Sequence, residues 1–194
     1  MFMSLFISLF FLLTPFFVLS TFLALTQDYE PSQRRKLAIE VMIGTMIVGA
    51  VIYLLGNHIF SLFGINLHSF RMGTGILLML SAINLVQGGD SSRLKGLDKN
   101  AISVVPLSIP ITVGPATIGY LLVLSSEAES TADILPTLAA FWLASACVGA
   151  LLMAGSWIER VLGRSGLMIL SKITGLILSA LAAQMFMLGF THFV

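Results

Sequence analysis

Two places in this apolar chain combine helix-breaking residues with small polar ones. The residues that could do chemistry at the first place are Thr112, Gly114, Pro115 and Thr117. Those at the second place are Thr14, Pro15 and Ser20. Free N–H groups at a helix N-terminus can bind a carboxylate, whereas carbonyl and hydroxyl oxygens can bind an ammonium group or a cation. These residue types therefore predict a site that surrounds a small polar solute.

The first place lies in an apolar stretch, Val104–Ser125, that also contains Pro106 and Pro110. Proline removes a backbone donor and clashes with the preceding turn, so this stretch predicts a broken helix. Backbone groups freed at membrane depth need shielding by neighbouring helices or a polar cavity. The alternative is that proline and glycine only kink the helices, while Ser and Thr bond to their own backbone. Two matched breaks favour the site over this alternative.

Composition places the chain among integral membrane proteins. It has 194 residues, 57% of them hydrophobic and 10% charged, with a mean hydropathy of +1.01, where a soluble domain has about a quarter charged residues. The net charge of +1 gives no basic surface for nucleic acid. One cysteine, Cys147, excludes a disulfide within the chain, and His58 and His68 lack metal-ligand company. We expect no metal and no cofactor.

Six apolar blocks have about the ~20 residues that a spanning helix needs. They are Met3–Thr26, Leu37–Phe63, Phe70–Gln87, Ala101–Ser126, Ile134–Gly155 and Leu167–Phe190. Short connections join them, so residues 1–194 read as a single all-α membrane domain of six transmembrane helices, the first and fourth broken at Pro or Gly. The N-terminal block lacks a basic region and a cleavage site, and therefore reads as the first span rather than a signal peptide.

The distribution of Lys and Arg predicts the topology. Nine of the ten cations fall in the first, third and fifth connections or their edges: Arg34, Arg35, Lys36, Arg93, Lys95, Lys99, Arg160, Arg164 and Lys172. Only Arg71 lies on the opposite side. Cations in short loops stay in the cytoplasm, so both termini are predicted to lie outside it.

Internal similarity appears at a constant separation of 100 residues. The matches are Pro15 with Pro115, Val48-Gly49-Ala50 with Val148-Gly149-Ala150, Thr74-Gly75 with Thr174-Gly175, Ala82 with Ala182, and Asn84 with Gln184. Three spans in each half make the second half enter the membrane from the opposite side. The chain is thus predicted to be two inverted three-helix repeats, about 1–90 and 101–194. Pro15 and Pro115 then interrupt corresponding spans, a pointer to a site at the membrane midplane.

Several polar residues lie outside the two breaks. Asn84 and Gln184 are predicted mainly to bond other helices, with solute contact as the alternative. Arg71 could close an external gate or attract a carboxylate, although a snorkelling arginine at a helix end is the simpler interpretation. Glu40 could relay protons, but a shielded ion pair with Lys36, four residues earlier, is favoured.

Three segments identify a family resemblance. VPLSIPITVGPATI in the fourth span, FGINLHSFRMGTGILLMLSAINLV from Phe63 to Val86, and ITGLILSALAAQMFMLG in the last span resemble segments of the MarC family of bacterial inner-membrane proteins. That family includes SnatA-type neutral amino acid transporters and falls in the LysE superfamily. The resemblance covers nearly the whole chain and implies a small-solute transporter, with glycine or alanine as examples of its substrates.

The chain departs from the family pattern at two places. The first span keeps Pro15 but has Phe17 and Ser20 in a run where the family has a glycine and a second proline, which predicts a less broken span and a bulkier wall. The third span reads Gly73-Thr74-Gly75 where two adjacent glycines are expected. Both departures bear on the substrate more than on the fold.

The function that these observations favour is secondary transport or export of small solutes by alternating access. No GxxxxGK[ST] loop occurs, which argues against ATP hydrolysis within the chain, and no HExxH motif or nucleophile–base set favours an intramembrane enzyme. A non-transporting membrane scaffold or sensor is the main alternative. The expected partners are the bilayer and a small solute, without nucleic acid. A homo-oligomer is compatible with the sequence.

Overall fold

The computed structural model describes residues 2–88, 112–128 and 131–191, and all of the regular structure in these ranges is helical. The helices are α1 (Phe2–Leu12), α2 (Pro15–Leu25), α3 (Pro31–Phe63), α4 (Leu67–Gln87), α5 (Pro115–Glu127), α6 (Thr131–Met153) and α7 (Gly155–Phe190). Pro106 and Pro110 lie outside the described residues, as does the first part of the predicted fourth span. Helix α5 is the described part of that span.

Within the described ranges, five helical segments are long and apolar enough to cross a membrane. They are Phe2–Leu25, Pro31–Gly56, Leu67–Gln87, Asp133–Met153 and Gly155–Phe190. No more than 39% of the most apolar 18-residue window in any of them is buried within the protein. Leu, Ile and Met side chains therefore cover much of the outer surface, as expected where lipid is the solvent. The chain is a multi-pass, all-helical membrane protein in its described parts.

The first span is interrupted between α1 and α2. Thr14 has a φ of 47°, the left-handed region, and it is the one non-glycine residue with positive φ in the part of the chain described. Pro15 then occupies the first turn of α2, where its missing N–H costs no helical hydrogen bond. The break therefore exists, although Phe17 and Ser20 in place of the family's glycine and second proline predict a less broken span.

The connection before the sixth span is helical rather than a loop. Helix α7 begins at Gly155, not near the predicted Leu167, and it is interrupted only at Gly163, where φ is 66° and ψ is 173°. Ile158 is 9% exposed, so this side of the segment packs against the protein, while Arg160 and Arg164 are exposed and Glu159 is half-buried. Amphipathicity of this kind stabilises a helix, although the mean hydropathy of the segment predicts a loop.

Helices α4 and α7 run antiparallel and approach closely through glycines. A Cβ placed on Gly75 would lie 2.9 Å from the Ala182 carbonyl oxygen, and one on Gly175 would lie 3.0 Å from the Ala82 carbonyl oxygen. Gly189 lies in the same way against the His68 carbonyl oxygen, at 2.6 Å. Only a residue without a side chain permits this backbone separation.

Helices α3 and α6 also meet at small residues. Gly49 of α3 faces the Phe141 ring, and Gly149 of α6 faces the Met42 side chain. Phe141 is 1% exposed and is among the largest fully buried side chains. Around the break in the first span, Leu9, Leu13 and Leu19 are each 0% exposed. The interrupted span is thus enclosed by packed apolar side chains.

Candidate functional site

The break in the first span lies against the start of α5. The Thr117 hydroxyl, in the first turn of α5, donates a buried hydrogen bond of 3.4 Å to the Leu12 carbonyl at the end of α1. These residues are 105 positions apart in the chain. The carbonyl is one of those left without a helical partner at a helix C-terminus. The fold therefore brings Thr117 to the first-span break.

Helices α2 and α5 begin alike. Each has proline in its first turn, and neither Thr14 nor Gly114, the residues preceding these helices, makes a side-chain capping bond. The backbone N–H groups in the first turn of each helix have no carbonyl acceptor within that helix, and the helix dipole adds partial positive charge at this end. Each start is therefore suited to hold a carboxylate or another electron-rich group of a solute.

The remaining predicted residues at the breaks differ in exposure. Thr112 is 2% exposed, and its hydroxyl has no hydrogen-bond partner among the described residues. Gly114 has extended backbone, with φ −73° and ψ 171°, and a Cβ placed on it meets no described atom within 4 Å. Thr14 is half-buried, Pro15 buried and Pro115 exposed. Among the described residues, none lies within 4 Å of a Cβ at Gly114 and none bonds the Thr112 hydroxyl.

Ser20 lies away from the breaks, in a cavity of about 520 Å³ that we call the first cavity. The lining residues with polar or charged side chains are Ser20, Thr21, Gln27, Asn84, Gln87, Glu159, Arg164, Ser171 and Lys172. Arg164 pairs with Glu159 at 3.3 Å, so these opposite charges balance each other. The first cavity is therefore a polar chamber at the end of the molecule that carries most of the described cations.

A second cavity of about 820 Å³ lies toward the other ends of the helices. Its polar or charged lining residues are Ser4, Ser8, Tyr53, Tyr120, Glu127, Asp133, Thr137 and Gln184. Along α7 the nearest lining residues of the two cavities, Lys172 and Leu181, are nine positions apart, which is about 14 Å of helix. The two chambers are therefore separate.

The linings of the two cavities correspond at the 100-residue offset. Seven pairs match: Ser20 with Tyr120, Leu23 with Val123, Ala24 with Leu124, Gln27 with Glu127, Asn84 with Gln184, Leu85 with Met185, and Gly88 with Leu188. Neither Asn84 nor Gln184 makes a hydrogen bond to another described residue, and both side chains are exposed. The expectation that these amides bond neighbouring helices is wrong for the described part of the chain, because the helices turn both into cavities.

Arg71 has a partner in a neighbouring helix. Its guanidinium pairs with the carboxylate of Glu127 at the end of α5, and the Arg71 side chain is only 15% exposed. Its buried Nε has no hydrogen-bond partner among the described residues. The pair ties α4 to α5 beside the second cavity. The simplest interpretation, an isolated snorkelling arginine, is therefore wrong.

Glu40 lies close to Lys36, as the four-residue spacing predicts. The ammonium and carboxylate are 4.0 Å apart, with Lys36 80% and Glu40 31% exposed. The ammonium is thus not shielded by the protein, and such exposed pairs contribute little to stability. Glu40 lines neither the first nor the second cavity.

Sequence reasoning did not select Tyr120, Glu127 or Glu159 as site residues. Tyr120 lies 100 positions after Ser20, which was selected, so the 100-residue offset was a signal that could have found it; Glu127 lies at the same offset from Gln27, which was not selected. Glu159 gave no such signal because it lies in a segment that was read as a loop. Within the described ranges no group of three His, Cys, Asp or Glu side chains could hold a metal ion.

Sequence comparisons agree with the membrane architecture. UPF0056 membrane protein MJ1677 of Methanocaldococcus jannaschii is 32% identical over 95% of this chain and 93% of its own length. UPF0056 membrane protein YvbG of Bacillus subtilis is 32% identical over 93% of this chain and 89% of its own. UPF0056 membrane protein YhcE of Escherichia coli is 29% identical over 95% and 89%.

No solved structure shows significant similarity to the chain. The sequence profile described as "MarC family integral membrane protein" matches residues 1–194. With its interrupted first span, its membrane-length helices and relatives aligned over nearly its full length, the chain belongs to the MarC family of integral membrane proteins.

Proposed function

We propose that this protein is a secondary transporter or exporter of small solutes that works by alternating access. The observation that carries the proposal is the buried contact of Thr117 with Leu12, which joins the first-span break to the start of α5, with one of the two cavities on each side. A solute bound at the breaks would meet helix N-termini and hydroxyls rather than buried charges. Such dipoles bind polar groups without the large desolvation cost of isolated ions.

We further infer that the chain is an inverted repeat of three helices plus three. Reciprocal contacts support this: Gly75 lies on Ala182, and the repeat-equivalent Gly175 lies on Ala82. The matched cavity linings support it as well, since an in-plane pseudo-two-fold axis turns a cavity at one end into a corresponding cavity at the other. Rocking of one repeat against the other would then expose the solute alternately to each side.

The orientation proposed from the cations places the first cavity in the cytoplasm of a bacterial cell and the second cavity, with both termini, on the periplasmic side. Arg34, Arg160 and Arg164 belong to the first-cavity end, and Arg71 to the other. In this orientation the Arg71–Glu127 pair is a periplasmic gate between the repeats. Opening the gate would expose the second cavity by separating α4 from the end of α5.

The solute is proposed to contact the residues at the two breaks, above all Thr112, Gly114 and Thr117 in the second repeat, while Phe17 shapes the wall of the first cavity. Neutral amino acids such as glycine and alanine are the first solutes to test, on the family resemblance. The three relatives above are named only as membrane proteins, so the substrate assignment is ours. Glu40 remains a candidate for proton relay. The proposal includes no enzymatic reaction.

The test is counterflow of labelled glycine, alanine and a panel of other small solutes in liposomes that contain the purified protein. Exchange that exceeds that of protein-free liposomes is expected for at least one solute. Folded protein that exchanges none of them would overturn transport and favour the main alternative, a non-transporting membrane scaffold or sensor.

A further inference from the structure

Asn84 and Gln184 occupy equivalent places in the two repeats and at the two ends of the molecule. Antiparallel packing fixes their levels, because Gly75 lies on Ala182 and Gly175 lies on Ala82. In this register Asn84 of α4 is level with residue 173 of α7, and Gln184 is level with residue 73. The two amides are therefore separated by about 11 helical residues, or roughly 16 Å along the bundle.

Both amides face polar chambers without being used by the fold. Asn84 shares the first cavity with Ser20 and Ser171, and Gln184 shares the second with Tyr120 and Ser8. Neither amide has a hydrogen-bond partner in the described part of the chain. An amide left unpaired in an apolar span costs free energy, so its retention facing a cavity indicates contact with water or solute.

We propose that Asn84 and Gln184 are the solute-contacting residues of two repeat-related subsites, one on each side of the helix breaks. An amide side chain both donates and accepts hydrogen bonds, so each subsite takes a small solute that presents a donor and an acceptor close together. The solute occupies the Asn84 subsite when the protein is open to the first-cavity side and the Gln184 subsite when it is open to the other. This inference rests on the proposed transport function and adds residues to it.

Ion pairs lie near both subsites, and each cavity also has a further charged lining residue, Lys172 in the first and Asp133 in the second. In the first cavity Glu159 pairs with Arg164 at 3.3 Å, and beside the second cavity Glu127 pairs with Arg71. A solute therefore meets amide and hydroxyl groups near these ion pairs, together with the Lys172 ammonium in the first cavity and the Asp133 carboxylate in the second. The equivalent of Glu127 in the first cavity is the uncharged Gln27, so the two subsites share their amide but differ in surrounding charge.

Single-cysteine labelling tests the subsites independently of transport. Cys147 is the one cysteine, so Cys147→Ala gives a cysteine-free background. In it, Asn84→Cys should react with a membrane-impermeant maleimide from the first-cavity side only, and Gln184→Cys from the opposite side only. Ile83→Cys and Met187→Cys are the matched controls, because these exposed neighbours line neither cavity. Reaction no faster than the controls, or from the wrong side, would overturn the proposal.

Solute protection then separates this inference from the proposed function. Glycine, or another member of the counterflow panel, should slow labelling at both positions, and the absence of protection by every panel solute would overturn the subsites. Protection without any exchange would uphold the subsites while transport fails. Where exchange occurs, Asn84→Ala should raise KM about three- to tenfold for solute supplied at the first-cavity side, as loss of one hydrogen bond predicts. Gln184→Ala should do so only from the other side, and an unchanged KM in both variants would overturn the proposal.

Discussion

Replacing Gly75 by alanine should loosen the packing of α4 against α7. A Cβ at this position would lie 2.8 Å from the Phe186 amide nitrogen and 2.9 Å from the Ala182 carbonyl oxygen. Both atoms belong to helix backbone, so neither can rotate away. The optimal separation of such atoms is ~3.5 Å, so the helices must move apart by about 0.6 Å or distort.

The expected cost of this overpacking is about 1–3 kcal/mol. Gly73→Ala is the matched control, because Gly73 lies on the same helix and a Cβ there meets no described atom within 4 Å. Both substitutions gain the same helix propensity, so the difference between them isolates the packing term. Since 1 kcal/mol corresponds to roughly 2–4 °C for a chain of this size, the two variants should differ in Tm by roughly 2–12 °C.

Thermal unfolding of the purified variants in one detergent, followed by tryptophan fluorescence, measures this difference. Gly175→Ala should show a similar loss, because its Cβ would lie 3.0 Å from the Ala82 carbonyl oxygen. Equal Tm values for Gly75→Ala and Gly73→Ala would refute the close approach of α4 and α7. The reciprocal contacts that support the inverted repeat would then lose their basis.

Three further predictions concern the breaks and the gate. Gly114→Leu should abolish counterflow while leaving Tm within a few degrees of the parent protein. The reason is that the extended backbone accepts a side chain, which then fills the space at the break. Retained counterflow would remove Gly114 from the site. Thr117→Val should lower stability by about 0.5–1.5 kcal/mol in thermal unfolding, since it leaves the Leu12 carbonyl without its hydroxyl donor. Thr117→Ser keeps a hydroxyl and should not lower stability. Equal stability of the two variants would contradict the contact. Arg71→Gln and Glu127→Gln should each alter counterflow. The double variant Arg71→Glu with Glu127→Arg, which swaps the two charges, should restore counterflow in part. No recovery in this double variant would argue against a gate formed by attraction between the two side chains.

Much of the architecture was predictable because the membrane constrains it so strongly. Long apolar blocks must be helical in lipid, and the structure confirms helices at five of the six predicted spans and in the described part of the fourth. Pro15 predicted the break in the first span, since proline cannot continue a hydrogen-bonded helix. The helical start of α7 was missed, because its charges lower the mean hydropathy of a segment whose Ile158 face is nevertheless buried.

The sequence by itself determined the membrane class, the position of the first-span break and the 100-residue offset of the internal matches, because these depend on local residue type and spacing. Only the tertiary structure decided that Thr117 reaches Leu12, that Arg71 pairs with Glu127, and that Asn84 faces a cavity rather than a neighbouring helix. The physical reason is that hydrogen bonds and ion pairs between helices depend on the rotation of each helix about its axis. That rotation is set by packing of the whole bundle, including the glycine contacts of α4 with α7, and no single segment encodes it.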